Sequence, residues 1–109
     1  MTIALRRVTD CSRYGSVLTQ NDRVTAFNEK QAGGGGLING GVYLVNRQRA
    51  LALLPAGASS FENEFIAKNV QLDVVCGMPS DAYFIDIGVP EEYARACETL
   101  AEVVDKAQK

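Results

Sequence analysis

The chain has 109 residues, 47% of them apolar and 22% charged, which fits one ordinary globular domain or a part of one. Eleven Lys and Arg stand against 13 Asp and Glu, a formal charge of -2 with no basic patch, which argues against a nucleic-acid surface. No His is present, so Ser-His and Cys-His catalytic schemes are excluded and any chemistry must use carboxylates, lysines, backbone groups or a metal.

No run approaches the roughly 20 apolar residues that span a bilayer, and the start of the chain lacks the apolar stretch of a secretory leader. Cys11, Cys76 and Cys97 lie far apart, with no CxxC spacing and no His to complete a zinc site. They read as reduced, buried small hydrophobes, and the chain as cytoplasmic.

In chain order, Thr2 to Val8 and Tyr14 to Thr19 read as strands, separated by the polar cluster Thr9-Asp10-Cys11-Ser12. Gln20-Asn21-Asp22 is a turn signal, because Asn and Asp bond their own backbone. Arg23 to Lys30 alternates with period two and completes an antiparallel hairpin. Gly33 to Gly36 form an unbroken glycine run, read as a flexible surface loop. A phosphate-binding loop needs a following Lys-Ser or Lys-Thr and a helix, and here a strand-like stretch, Leu37 to Asn46, follows instead. Gly40 and Gly41 within it mark a bulge or the close approach of a ligand or another backbone.

Arg47 to Leu54 fits either a short helix or an extended stretch. A helix is expected from about Ser60 to Lys68, with Phe61 and Phe65 on one face. Ser60 with Asn63 and Ser59 with Glu62 are both candidate caps, the second having capping-box spacing. Val70 to Cys76 and Ala82 to Ile87 read as two strands joined by a turn at Gly77 to Asp81. A final helix begins at Pro90, carries Glu91 and Glu92 at its positive end, and has an apolar stripe of Tyr93, Cys97, Leu100 and Val104.

Four places carry residues suited to chemistry. Glu29-Lys30 at a strand end can hold a polyol and an anionic oxygen, or can simply be a solvated pair. Asn39 beside Gly40 and Gly41 offers a donor and an acceptor to vicinal hydroxyls where a ring can approach the backbone; the alternative is a bulged strand with a polar residue in its bend. Ser60-Phe61-Glu62 sits at a helix start, where capping alone explains Ser60. Asp86 stands in an otherwise apolar stretch, where a carboxylate is costly unless it is paired or coordinates a metal.

In this order and spacing the four places resemble the sugar-1-phosphate nucleotidyltransferase family, and within it the branch acting on heptose 1-phosphate. Ser12 to Val17 resembles the segment entering the family's sugar-binding half. Phe27 to Lys30 is similar to its F-x-E-K strand, Leu37 to Tyr43 to its N-[AG]-G-[IV]-Y strand, Ser60 to Phe65 to its S-[FLI]-E segment, and Phe84 to Tyr93 to its D-I-G-x-P-x-x-Y segment.

The resemblance implies an α/β fold, the C-terminal part of a Rossmann-like nucleotidyltransferase domain over residues 1–109. It has a mixed sheet, a short helix near 60–68 and a closing helix at 90–107. It further implies that Glu29 and Lys30 contact sugar hydroxyls and phosphate, that Asn39, Gly40 and Glu62 line the sugar pocket, and that Asp86 is one of two aspartates holding Mg²⁺. The family transfers a nucleoside monophosphate from a triphosphate to a sugar 1-phosphate and releases pyrophosphate. That reaction needs positioning and charge neutralisation rather than a His base. The family's glycine-rich nucleotide loop, its Pro-Lys segment and the second aspartate have no counterpart in this sequence. The chain is therefore expected to be a fragment or one part of a split enzyme, inactive in transfer when alone; a non-catalytic sugar-phosphate-binding or assembly module is the alternative. An exposed sheet edge is expected to make it self-associate.

Overall fold

The computed structural model describes every residue except Glu29, Gln31, Ala32, Ala58, Asp73 and Val74. Five strands form one mixed sheet: β1 (Thr2–Val8), β2 (Ser16–Gln20), β3 (Arg23–Asn28), β4 (Gly36–Leu44) and β5 (Cys76–Ser80), in the order β2-β3-β5-β1-β4. The helices are α1 (Arg47–Leu53), a π-helical segment (Phe61–Ile66) that runs into the single-turn α2 (Ala67–Val70), and α3 (Pro90–Ala107).

The hairpin β2–β3 forms as expected. Asn21 and Asp22 carry φ of 50° and 62°, the left-handed conformation that both residues of a tight two-residue hairpin turn adopt. The run Gly33–Gly36 is not a free loop. Gly34 accepts a hydrogen bond from the Cys11 amide at 3.0 Å, and Gly36 pairs with Val8 at the start of the β1–β4 ladder. Further along that ladder, Ile3 faces Tyr43 and Leu5 faces Asn39, so the single residue Ala4 lies opposite Gly40, Gly41 and Val42. A Cβ on Gly40 would come 2.9 Å from the Ala4 carbonyl oxygen, and Gly41 has φ +74°. The glycine pair therefore marks a bulge pressed against β1.

Of two expected strands in this region, one is shifted along the chain and the other does not form. The stretch read as a turn, Gly77 to Asp81, lies mostly within β5, which runs parallel to β1 from Thr2 opposite Cys76 to Arg6 opposite Ser80. The Cys76 amide bonds Met1 and the Gly77 amide bonds Asp22, so alternate nitrogens point to opposite neighbours. Pro79 then has its nitrogen on the side where β3 has stopped pairing, the one place a strand tolerates proline. Helix α2 reaches Val70 and β5 starts at Cys76; of the strand expected over Val70 to Cys76, Asp73 and Val74 lie outside the described residues.

Ala82 to Ile87 is likewise no strand. It is an irregular connection in which the Asp86 carboxylate accepts the Gly88 amide at 3.0 Å, a side-chain-to-backbone bond that turns the chain away from the sheet.

The core joins β1, β2 and β3 to the π-helical segment through Ile3, Leu5, Val17, Val24, Phe65, Ile66 and Val75. Each such side chain contributes about 1.5–3 kcal/mol on burial. Cys11 is buried as expected, but Cys76 and Cys97 are exposed. Helix α3 also differs from expectation. Tyr93, Cys97, Leu100 and Val104 face outward, while Ala96 is buried and Thr99 lies half-buried one turn on. Thr99 donates to the Arg95 carbonyl, so Tyr83 is the donor in the 3.0 Å bond between the Tyr83 and Thr99 hydroxyls, which ties α3 to the connection before it. Among the described residues, no helix is long and apolar enough to cross a membrane.

Candidate functional site

A cleft of about 740 Å³ opens beside the β4 bulge. One wall comes from the loop before β2, with Arg13, Tyr14 and Gly15, and from the end of β3, with Phe27, Asn28 and Lys30. Asn39, Gly40 and Gly41 line it from the bulge, and Glu62, Asn63 and Ile66 from the π-helical segment. Phe84 to Ile87 close the remaining side.

Local chemistry places each group. Ser60 caps the π-helical segment by accepting the Asn63 amide at 3.2 Å. Glu62 does not complete a capping box with Ser59; it accepts a hydrogen bond from the Tyr43 hydroxyl at 3.2 Å. That hydroxyl accepts in turn from Asn39 Nδ2 at 2.8 Å, while Asn39 Oδ1 takes the Gly41 amide at 2.9 Å. The Tyr43 ring stands edge-on to Phe61, centroids 5.3 Å apart, and Phe61 stacks on the buried Phe65. Irregular π-helical turns of this kind recur at functional sites, where they re-aim side chains.

Asp86 lies opposite. Its Oδ2 is 3.7 Å from the Arg13 guanidinium, which also sits over the Tyr14 ring at 5.2 Å. Tyr14 meets Phe84 edge-to-face, so the two loops that carry Arg13 and Asp86 are packed together. The carboxylate expected to need a partner has one, and it is a cation of the protein itself.

Lys30, Asn39, Gly40, Glu62 and Asp86 thus line one cleft, although they come from four separate stretches of chain. Glu29 lies outside the described residues. Residue-by-residue reading missed Arg13 and Tyr43. Both stand inside segments that carry the family resemblance, but neither spacing nor residue type marked them as partners of Asp86 and Glu62.

Burial pushes the Tyr43 phenol above its ordinary range, an effect the nearby Glu62 carboxylate reinforces and the Asn39 hydrogen bond opposes. The fold therefore holds the protonated phenol. Its contribution to stability is fully present below the unfolded value of about 10 and is lost as pH rises through the higher folded value. Urea midpoints should fall more steeply for the native chain than for Tyr43→Phe above about pH 10; parallel curves would count against this.

Comparison with known proteins places the arrangement. The chain is 39% identical over 104 residues to a D-glycero-alpha-D-manno-heptose 1-phosphate guanylyltransferase of Aneurinibacillus thermoaerophilus, covering 95% of this chain and 45% of that protein. It is 40% identical over 92 residues to the enzyme of the same name from Campylobacter jejuni, covering 84% and 41%. Over nearly its whole length the chain is similar to one part of these sugar-1-phosphate nucleotidyltransferases. Its fold matches the crystal structure of HddC from Yersinia pseudotuberculosis with a TM-score of 0.75 at 36% identity, over 91% of this chain and 43% of that one. HddC complexed with GMP-PN matches with a TM-score of 0.70 at 33% identity, again over 91% and 43%. The chain spans less than half the length of these nucleotidyltransferases, and its counterpart is their C-terminal part. No family model matches the chain.

Proposed function

We propose that this cleft is the sugar-1-phosphate site of a heptose 1-phosphate guanylyltransferase, and that nucleotidyl transfer requires the part of such an enzyme that this chain does not match. The observation that carries the reading is the convergence of Lys30, Asn39, Glu62 and Asp86 on one cleft in a chain similar to these enzymes. Lys30 meets the phosphate as a point charge, and Glu62 and Asn39 take hydroxyls. In the full reaction a phosphate oxygen of the sugar attacks the α-phosphorus of a nucleoside triphosphate, with GTP as the proposed donor, and pyrophosphate leaves.

Asp86 is the residue proposed to hold Mg²⁺. Its partly exposed carboxylate fits an ion that takes one or two carboxylates and fills its remaining positions with water and substrate phosphate, although the ion would have to displace Arg13. Among the described residues no cluster of three metal-binding side chains exists, and in this reading the second aspartate that the resemblance implies, substrate phosphate and water supply the remaining ligands. When bound, the ion neutralises charge on the phosphates.

Isothermal titration of the chain with heptose 1-phosphate, free heptose and GTP tests the reading. Binding of the sugar phosphate alone is expected, reduced about tenfold or more in Lys30→Ala through loss of a charged contact. Equal affinity for free heptose would sink the phosphate assignment. Pyrophosphate release from GTP by the chain alone would overturn the proposed division of labour. The second reading, a binding module without transfer, is favoured by Asp86 standing alone among the described cleft residues as an aspartate; absence of pyrophosphate release even with the rest of a guanylyltransferase supplied would establish it. Self-association remains part of the proposal, supported by the exposed Val42 and Leu44 on the edge strand β4. Light scattering showing a monomer at high concentration would remove it.

A further inference from the structure

We infer that Tyr43, which does not line the cleft, is a positioning residue that fixes the hydrogen-bond polarity of the site: it aims Glu62 as an acceptor and Asn39 as a donor toward one edge of the sugar. This rests on the sugar-1-phosphate reading of the cleft.

The groups form a directed chain. The Gly41 amide donates to Asn39 Oδ1 at 2.9 Å, Asn39 Nδ2 donates to the Tyr43 hydroxyl at 2.8 Å, and that hydroxyl donates to Glu62 Oε1 at 3.2 Å. Each bond sets the direction of the next. A flipped Asn39 amide would set its NH₂ against the Gly41 amide, donor against donor. It would also draw the Tyr43 proton toward the amide oxygen and away from Glu62. The origin of the chain is the β4 bulge, where Gly41 has φ +74°, and the ring in its middle rests through Phe61 on the buried Phe65. The relay is thus anchored in backbone and core, while its two ends reach the cleft.

Glu62 keeps Oε2 free of these bonds as an acceptor, and Asn39 keeps its second Nδ2 hydrogen as a donor. A hydroxyl that donates to the carboxylate while it or its neighbour accepts from the amide fits this pair; a group that can only accept does not. Sites built to bond a hydroxyl reject the analogue that lacks it far more strongly than apolar pockets reject a methylene. The relay therefore acts as a specificity device for one sugar hydroxyl, or for a vicinal pair.

The test is calorimetric titration of the native chain and Tyr43→Phe with heptose 1-phosphate and its monodeoxy analogues. Phenylalanine keeps the ring on Phe61 and removes only the relay oxygen. The native chain is expected to bind one analogue about a hundredfold more weakly than the parent sugar. Tyr43→Phe is expected to bind the parent about tenfold more weakly, the range of a hydrogen bond to a charged group. Against that same analogue, the variant's penalty should shrink by a similar factor. Equal weakening of the parent and every analogue would show a merely structural role and overturn the inference, as would unchanged parent affinity.

If the native chain binds no sugar 1-phosphate, the functional reading fails but the relay is still measurable. The Asn39 side-chain amide resonances should then move, and exchange faster, in Tyr43→Phe. Unmoved resonances would overturn the relay itself.

Discussion

Leu5→Ala is expected to lower stability by about 3 kcal/mol, within the usual range for a core leucine. Leu5 is 1% exposed in the interior strand β1, between β5 and β4. Its position is tied to Gly77 across the parallel ladder. A methyl group on Gly77 would come 2.6 Å from Leu5 Cδ1, 3.2 Å from Thr19 Cγ2 and 3.3 Å from Val24 Cγ2. Gly77→Ala alone should therefore cost about 1–3 kcal/mol through overpacking. In the double variant the added methyl enters space that Leu5 has vacated, leaving only the tighter fit to Thr19 and Val24. The combined loss should fall short of the sum of the single losses by at least about 0.5 kcal/mol, beyond the scatter of independent sites. Urea unfolding of the three variants measures this, and strict additivity would contradict the contact. The same packing explains why β5 carries a glycine at position 77.

The second large effect concerns Asp86 and Arg13. Two unit charges about 4 Å apart interact by about 1 kcal/mol in water and about 4 kcal/mol at an effective dielectric near 20. Both side chains are partly exposed, 46% for Arg13 and 37% for Asp86, so the lower part of that range applies. If Asp86 holds the proposed Mg²⁺, Arg13 competes with that ion for the same carboxylate. At low salt, Arg13→Ala should bind Mn²⁺, as a probe of the Mg²⁺ site, about five- to tenfold more tightly than the native chain, matching about 1 kcal/mol or slightly more. Asp86→Asn should abolish that binding. Near 1 M salt, where screening extends only about 3 Å, the difference between Arg13→Ala and the native chain should shrink. Paramagnetic-resonance titration of free Mn²⁺ reads all three. Unchanged affinity in Asp86→Asn would remove Asp86 from the metal assignment.

Local patterns in the chain were enough for β1, the β2–β3 hairpin with its Asn21-Asp22 turn, the β4 bulge at Gly40-Gly41, the Ser60 cap and the Pro90 start of α3. Each depends on neighbours within a few residues: side chains that bond their own backbone, glycines that permit a bend, and a proline preset for a helix. Family resemblance added the expectation that Glu29, Lys30, Asn39, Gly40, Glu62 and Asp86 share one site, and those of them that are described line one cleft.

What only the tertiary structure decided depends on residues distant in sequence. β5 is a strand because Leu5, Thr19 and Val24 leave room for nothing larger than Gly77 and because β3 ends before Pro79. Its turn-like composition therefore gave way to pairing with β1. Asp86 sits in a stretch whose composition predicts a strand, but it turns onto the Gly88 amide and faces Arg13, 73 positions earlier in the chain. The helical stripe of α3 was correctly periodic, yet periodicity names a face without saying whether anything covers it, and Tyr93, Leu100 and Val104 are exposed. Tyr43 gains its importance only when the π-helical segment brings Glu62 to it across 19 positions. Spacing along a chain encodes local geometry, whereas the partner of a charge or a hydroxyl is set by which elements the core packs together.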